Sequence, residues 1–472
     1  MSLGSKAPES PVQKTAPARR SAGIAIFARL PRNIYLLLLF TTGKGFQLSI
    51  SALTLNYYIH SLGYQPEFIG LFSAMPAIGS LISAVPVGRL ADRIGRKPVL
   101  LLTAMLTPLC LAITAIVTSA PLLLAFGLLQ GLVSTAYWVT NLPLLVESST
   151  EKQRVGVLAL NSFLLLGIGA LGNLLGGAIP EYIAGVLHVS AASAVPLRWG
   201  VFAAALFTFV FGLPLWFLRE PRRGARNQPE LPAVVAGPAG ETTTELAFVA
   251  DVDITQGAAV AQDEGEGARE TSSAVIPSAA QPEQERWPVL LFLQLLIPDL
   301  VFTMGEGAVV ALIQIYFVLR FHLLPGPLGV IFTISGLAGG IFSLTAPLFV
   351  KRWSKLRLVT TVQYLSAPLM VLIGLSPNLP FAIAGEYSRS FMRTLIEPVY
   401  AAFAMERISD KYRATLSGCY AVTWSIGFSI GPTIGGWLQT NVNLSTSFVF
   451  GALCLLIAPS LLLAFFGRRN KG

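Results

Sequence analysis

Gly88-Arg-Leu-Ala-Asp-Arg-Ile-Gly-Arg-Lys97 is a polar stretch, with one acid among four bases, that separates two apolar runs of the chain. Each run holds about 20 mostly apolar residues, enough for an α-helix to cross the hydrocarbon core of a bilayer. With 53% of its 472 residues hydrophobic and 12% charged, the chain presents much of its surface to something other than water. A lipid-facing backbone must satisfy its own hydrogen bonds, so each run is predicted to be helical. We count twelve such runs, which begin near Asn33, Phe68, Val99, Pro121, Val155, Trp199, Val289, Leu328, Leu358, Leu379, Ala414 and Thr446.

The Lys and Arg residues fall almost entirely on one side of the predicted membrane. Of the 33, those outside the tails and the even-numbered connections are Lys44, Arg198, Arg320, Arg389 and Arg393. The positive-inside rule therefore predicts that both termini are cytoplasmic. The net charge of +9 is accordingly a sign of membrane topology, and we expect no nucleic-acid partner.

Between the sixth and seventh runs the chain becomes polar and acidic. Such a stretch cannot bury enough apolar surface to fold, so it is predicted to be a disordered cytoplasmic linker. It acts either as a plain tether or as a regulatory segment. The predicted organisation is a cytoplasmic tail 1–32, an N-terminal six-helix bundle 33–221, the linker 222–287, a C-terminal six-helix bundle 288–467 and a cytoplasmic tail 468–472.

The two sides of the linker repeat each other. An offset of 259 positions places Glu147 and Arg154 on Glu406 and Arg413. The same offset matches a glycine motif in both halves, consisting of Gly172, Gly176 and Gly177 in the first and Gly431, Gly435 and Gly436 in the second. Six helices on each side give both halves the same orientation. Parallel repeats of this kind are how many transporters build a substrate site between two halves.

The loop Gly88–Lys97 resembles the signature loop of the major facilitator superfamily. The eleventh run carries Gly427-x3-Gly431-Pro432-x2-Gly435-Gly436, similar to a glycine–proline motif of antiporters in that superfamily. The fifth run has Asn173 where that motif has proline, and Gly127 stands where drug exporters carry an arginine. The resemblance implies an all-α membrane protein of twelve helices in two pseudo-symmetric six-helix bundles, with helices 1, 4, 7 and 10 lining a central cavity.

The charged loop ends are predicted to form a cytoplasmic gate. Gly88 allows two backbones to pass closely, and Gly95 permits a tight turn. The resemblance implies that Asp92 latches the halves by facing the positive end of a helix; the alternative is a basic loop that only sets topology. Glu147 with Arg154, and Glu406 with Arg413, are expected to form ion pairs. The predicted gate residues are Gly88, Asp92, Arg93, Gly95, Arg96, Lys97, Glu147, Arg154, Glu406 and Arg413.

Seven ionisable residues lie inside the predicted membrane spans, where a charge costs about 2.5–3.5 kcal/mol on insertion scales. All fall on cavity helices: Lys44, Asp299, Glu306, Glu386, Arg389, Arg393 and Glu397. The last four share one face of the tenth helix. They either neutralise each other as a ladder, or Arg389 and Arg393 hold an anionic group of a substrate.

A polar wall is predicted opposite these charges. On the fourth helix it comprises Gln130, Ser134, Trp138 and Asn141, and Gln47 shares a helix face with Lys44. Trp138 either contacts the substrate or only packs. Charged and polar–aromatic walls together suit an amphipathic solute.

Lys44 and Glu306 occupy matching positions, in Gly-Lys-Gly and Gly-Glu-Gly. We hypothesise that they pair across the halves and that Glu306 carries the coupling proton. The carboxylates outnumber the cations within the spans, and a buried unpaired carboxyl tends to keep its proton. The alternative is a static ion pair.

The sequence therefore predicts a monomeric secondary transporter in the cell membrane that moves a small organic solute, with proton-coupled efflux preferred over proton-coupled uptake. A receptor on a transporter scaffold is the second alternative. His60, His188 and His322 lie apart at the outer edges, so no metal, cofactor or enzymatic centre is expected.

Overall fold

The computed structural model describes residues 30–219, 289–343 and 353–467. The predicted linker 222–287, the C-terminal tail and residues 1–29 of the N-terminal tail lie outside these ranges.

Helices account for nearly all of the described residues, and these residues form no strand. We number the helices α1 to α12. Helix α5 contains one π-helical stretch, α6 ends in a 3-10 turn, and α7 is broken after Val310. The bounds are α1 Arg32–Ser61, α2 Pro66–Ile94, α3 Arg96–Ile116, α4 Ala120–Ser148, α5 Glu151–Ser162 with Phe163–Ile168 and Gly169–Leu187, α6 Ala194–Gly212 with Leu213–Phe217, α7 Val289–Val310 with Ile313–Phe321, α8 Pro325–Ser343, α9 Lys355–Leu375, α10 Leu379–Met405, α11 Asp410–Asn441 and α12 Thr446–Phe466.

Nine of these helices, among the described residues, are long and apolar enough to cross a membrane. The other three are α8, whose apolar part is Pro325–Gly339, and α10 and α11. Helix α10 carries the charged stripe that begins at Glu386, which lowers its mean hydropathy. The number of twelve spans therefore stays a prediction.

The repeat in the sequence corresponds to a repeat in the packing. A Cβ added to Gly172 would lie 2.7 Å from the carbonyl oxygen of Phe46 on α1, and one added to Gly431 would lie 2.4 Å from that of Met304 on α7. These distances are below van der Waals contact, so only glycine permits each pair of helices to approach so closely. Helices α5 and α11 therefore hold the first helix of their own half in the same way.

The halves meet along two equivalent interfaces. Between α2 and α11, a Cβ on Gly70 would lie 2.1 Å from the carbonyl oxygen of Pro432. Between α8 and α5, a Cβ on Gly329 would lie 2.4 Å from that of Asn173. Gly70 and Gly329, like Asn173 and Pro432, are related by the offset of 259 positions. The substitution of proline by Asn173 thus leaves this backbone contact in place.

Both interfaces lie toward the end of the bundle at which α1 ends and α2 begins. At this end the Asn56 side-chain amide donates to the carbonyl oxygen of Ala311, at the break in α7, over 2.8 Å. On the other interface the backbone N–H of Gly326 donates to the carboxylate of Glu181 over 2.9 Å.

The opposite end carries the loop Gly88–Lys97. Gly95 adopts a φ of 97°, which allows α3 to start directly after α2. A Cβ on Gly88 would meet no atom within 4 Å in the described part of the chain. The expected close approach of two backbones at Gly88 is therefore wrong for this conformation, because the halves pack closely at the other end.

Candidate functional site

The membrane interior of the C-terminal half contains a network of ion pairs centred on Arg389. Its Nε and Nη2 donate to the two carboxylate oxygens of Glu386, over 2.9 and 3.1 Å. Its Nη1 donates to Glu306 on α7 over 2.9 Å. All three side chains are buried. Three of its five N–H groups are thus directed at protein carboxylates, and the buried side chain is largely committed to these ion pairs.

Arg393 is the second cation of this network and is more accessible. Its Nε lies 3.5 Å from Glu306, and its side chain is 21% exposed, against 3% for Arg389. Glu397 follows one helical turn later on α10. Of the two alternatives for the α10 stripe, the geometry favours the neutralised ladder for Arg389, and the ladder extends across to α7.

Asp299 lies in a different environment, about two helical turns before Glu306 on α7. Its carboxylate accepts a hydrogen bond from the Thr423 hydroxyl on α11 over 2.7 Å. No Lys, Arg or His of the described residues lies within 4 Å of it. Asp299 is thus an intramembrane acid that is held by a hydroxyl and not by a cation.

Lys44 is 2% exposed and contacts helix α4 of its own half. Its Nζ lies 3.5 Å from the Ser134 hydroxyl and 5.8 Å from the centre of the Tyr137 ring. The hypothesised pair between Lys44 and Glu306 is therefore wrong for this conformation. The reason is geometric: Glu306 is held by arginines of its own half, and each residue points toward its own helix α4 or α10.

The glycines beside Lys44 have a packing role instead of leaving room around it. A Cβ on Gly43 would lie 2.3 Å from Phe211 on α6, and one on Gly45 would lie 2.4 Å from the Leu165 carbonyl oxygen on α5. Gly305 and Gly307 pack in the same way against α12 and α11. These contacts orient Lys44 and Glu306 away from the outer helices of their halves.

The polar wall of the N-terminal half has several hydrogen-bonding groups without a partner among the described residues. They are Gln47 Oε1, Gln130 Oε1, Trp138 Nε1 and Asn141 Oδ1. The Asn141 amide nitrogen does have partners, because it lies 3.2 Å from Thr41 and 3.3 Å from Asn161 on α5. Buried polar groups are normally satisfied, so this concentration makes the wall a candidate for contact with a solute or with water.

At the end that carries the Gly88–Lys97 loop, the ion pairs differ from those expected. Glu147 pairs with Arg96 and not with Arg154, and Glu406 pairs with Lys355 and not with Arg413. Arg154 and Arg413 lie in the first turn of α5 and of α11. Arg96 and Lys355 are the first residues of α3 and α9. Lys97 donates to the carbonyl oxygen of Trp216 over 3.1 Å.

Sequence reasoning missed Lys355, Thr423, Tyr137 and the contact between Glu181 and Gly326. For Lys355 a signal existed, because the offset of 259 positions relates it to Arg96 as it relates Glu406 to Glu147. Thr423 and Tyr137 are neutral, and the partner of Glu181 is the backbone N–H of Gly326, so no pattern of opposite charges could have indicated these contacts.

The comparisons with known proteins agree with this fold. The family model described as Major Facilitator Superfamily matches residues 35–385 and 295–472. Among solved structures, a D-xylose-proton symporter aligns with a TM-score of 0.66 at 14% identity, over 92% of this chain and 98% of that one. A bacterial homologue of the human lysosomal transporter Spinster aligns with a TM-score of 0.65 at 13% identity, over 93% and 96%. These structures share the fold.

Sequence relatives match a shorter region. Solute carrier family 22 member 2 of Rattus norvegicus is 32% identical over 166 residues, which is 34% of this chain and 27% of that protein. The Homo sapiens protein of the same name is 31% identical over 163 residues, again 34% of this chain and 26% of that protein. The match thus spans about a quarter of the length of these relatives. The family model covers nearly the whole chain, and this multi-pass membrane protein belongs to the major facilitator superfamily.

Proposed function

We propose that this protein is a proton-coupled secondary transporter that exports a small amphipathic organic solute by alternating access. The observation that carries the proposal is Asp299, an intramembrane carboxylate whose described partner is the Thr423 hydroxyl. A carboxylate without a counter-ion in low dielectric is poised to bind a proton. A change in its surroundings between two conformations would then link protonation to transport.

The arrangement of the halves supports alternating access. They pack closely through α2 with α11 and α5 with α8, toward the end at which α1 ends. The distribution of Lys and Arg supports a topology with this end outside the cell and both termini in the cytoplasm. In that topology the proposed transporter, a monomer of the cell membrane, would be closed to the outside in this conformation. The predicted gate around Asp92 would close in the opposite state.

Glu306 is a less suitable proton carrier than the sequence suggested. It accepts a hydrogen bond from Arg389 and lies near Arg393, so its negative charge is compensated in this conformation. Asp299 has no such compensation in the described residues. The proposal therefore assigns the coupling proton to Asp299 and a structural role to Glu306.

Solute and proton flux in proteoliposomes tests this function. A panel of amphipathic solutes is screened for movement driven by an imposed pH gradient and for exchange without a gradient. Asp299→Asn should abolish gradient-driven accumulation and retain exchange, because the neutral Asn side chain cannot bind or release a proton. Glu306→Gln is the matched comparison and should retain coupling.

Each outcome bears on a separate part of the proposal. Loss of coupling in Glu306→Gln but not in Asp299→Asn would move the proton to Glu306. Accumulation of the solute under the opposite pH gradient would indicate proton-coupled uptake, the alternative direction of transport. Binding without any flux would favour a receptor on a transporter scaffold.

A further inference from the structure

The two halves place charged side chains at equivalent positions but compensate them differently. In the C-terminal half, Glu306 on α7 lies 3.5 Å from Arg393 on α10. The offset of 259 positions relates Arg393 to Ser134, and Lys44 lies 3.5 Å from the Ser134 hydroxyl. The same pair of helix positions thus holds an ion pair in one half and a cation facing a hydroxyl in the other.

Lys44 is 2% exposed and has no carboxylate within 4 Å among the described residues. A buried charge is costly unless it is paired and hydrogen-bonded, and an ammonium group has three hydrogens to donate. One hydroxyl and the face of the Tyr137 ring satisfy only part of this demand. The Lys44 ammonium group therefore lacks an anionic partner among the described residues.

The face of α4 that carries Ser134 also carries a hydrogen-bond donor without a partner in the described residues. Trp138 follows Ser134 by four residues, so the two side chains lie one above the other on the helix. Its Nε1 is buried and has no acceptor in the described part of the chain. The Trp138 ring also packs edge-on against the Tyr137 ring, with centroids 4.8 Å apart. An ammonium, a hydroxyl and an indole N–H thus stand beside an aromatic surface.

Protein carboxylates of the other half are already engaged in this conformation. Glu306 and Glu386 bind Arg389, and Asp299 accepts from Thr423. The solute itself is therefore the source of negative charge that fits this site.

We propose that Lys44, Ser134 and Trp138 form a subsite that binds a carboxylate of the transported solute. The inference rests on the proposed transport function and adds the class of substrate. The solute is an organic anion with an apolar or aromatic body, whose carboxylate lies against α1 and α4 and whose body contacts the Tyr137–Trp138 surface.

Ligand binding to the purified full chain tests the subsite. The probes are benzoate and 4-phenylbutyrate, each paired with its neutral amide, and the readouts are the thermal-unfolding midpoint and calorimetric affinity. The carboxylates should stabilise the wild type and the amides should not. Lys44→Met should weaken carboxylate binding by about 10- to 100-fold, the range expected when a hydrogen bond to a charged group is lost. Trp138→Phe keeps an aromatic ring but removes the indole N–H donor, and it should weaken carboxylate binding less than Lys44→Met does.

Arg320→Gln is the matched control, since it removes an exposed cation at the end of α7 and should leave carboxylate affinity unchanged. Equal stabilisation by acids and amides, wild-type affinity in Lys44→Met, or no stabilisation by either carboxylate would each overturn the subsite.

A double variant tests whether the anion that Lys44 binds is a protein carboxylate instead of the solute. If Lys44→Met stops transport and Glu306→Gln added to it restores transport, Lys44 compensates a protein carboxylate in another state and the proposal is overturned. Flux of neutral solutes in proteoliposomes is the independent measure of the proposed function. It would persist if only the anion subsite were wrong.

Discussion

At the scale of single residues, the two halves compensate their intramembrane charges differently. The C-terminal half compensates its carboxylates internally through Arg389, whose three nitrogens all donate. The N-terminal half leaves Trp138 Nε1 and two glutamine oxygens without partners in the described residues. We infer that the first arrangement stabilises the bundle and that the second is available to a solute.

Arg389→Met should be strongly destabilising. It would leave Glu306 and Glu386 as buried charges without their main partner, which typically costs about 3–5 kcal/mol. Thermal unfolding in detergent measures this, with Arg393→Met as the comparison because Arg393 is more exposed. Adding Glu386→Gln to Arg389→Met should recover part of the loss. Equal stability of the two arginine variants would contradict a central role of Arg389.

At the scale of elements, glycines set how closely the helices of the two halves approach. At Gly70 and Gly329 a Cβ would overlap a backbone carbonyl oxygen, which cannot rotate away as a side chain can. The two interfaces are therefore sensitive to any side chain at these positions, and they are equivalent by the internal repeat.

Gly329→Leu should separate α8 from α5 and populate conformations open at this end. Spin labels at Tyr182 and Leu324, both exposed, would report longer distances than in the wild type. Gly185→Leu is the control, because a Cβ on Gly185 meets nothing within 4 Å in the described part of the chain. An unchanged distance distribution in Gly329→Leu would show that the contact does not hold the halves together.

At the scale of the whole molecule, the structure shows one arrangement of the two halves, which under the proposed function is one state of the transport cycle. The halves pack at one end, while a Cβ added to Gly88, the glycine of the signature loop, meets nothing within 4 Å among the described residues. The resemblance to the superfamily implies that this loop contacts the other half when the cavity opens the other way.

Gly88→Leu should therefore impair transport without destabilising the observed state. Gly88 is half-buried, but an added Cβ meets nothing within 4 Å in the described residues, so we expect the free energy of unfolding to change by no more than about 0.5 kcal/mol, as for surface substitutions. The thermal midpoint should stay near that of the wild type, while solute flux falls. Gly185→Leu, at the other end, should retain both. Wild-type flux in Gly88→Leu would show that no close contact forms at this loop during the cycle.

The sequence by itself determined the helical class, the superfamily, the internal repeat and the positions of the intramembrane charges. These follow from segment length, hydrophobicity and residue spacing, which are local properties of the chain. The repeat also related Gly70 to Gly329 before any contact was known.

Only the tertiary structure decided which side chains meet. Glu306 binds Arg389 and not Lys44, Glu147 binds Arg96 and not Arg154, and Asp299 accepts from Thr423. Spacing in the sequence predicts neighbours within one helix, such as Glu386 and Arg389. Partners on different helices depend on how closely those helices approach and where each side chain points, and glycine contacts spread along the whole bundle set both.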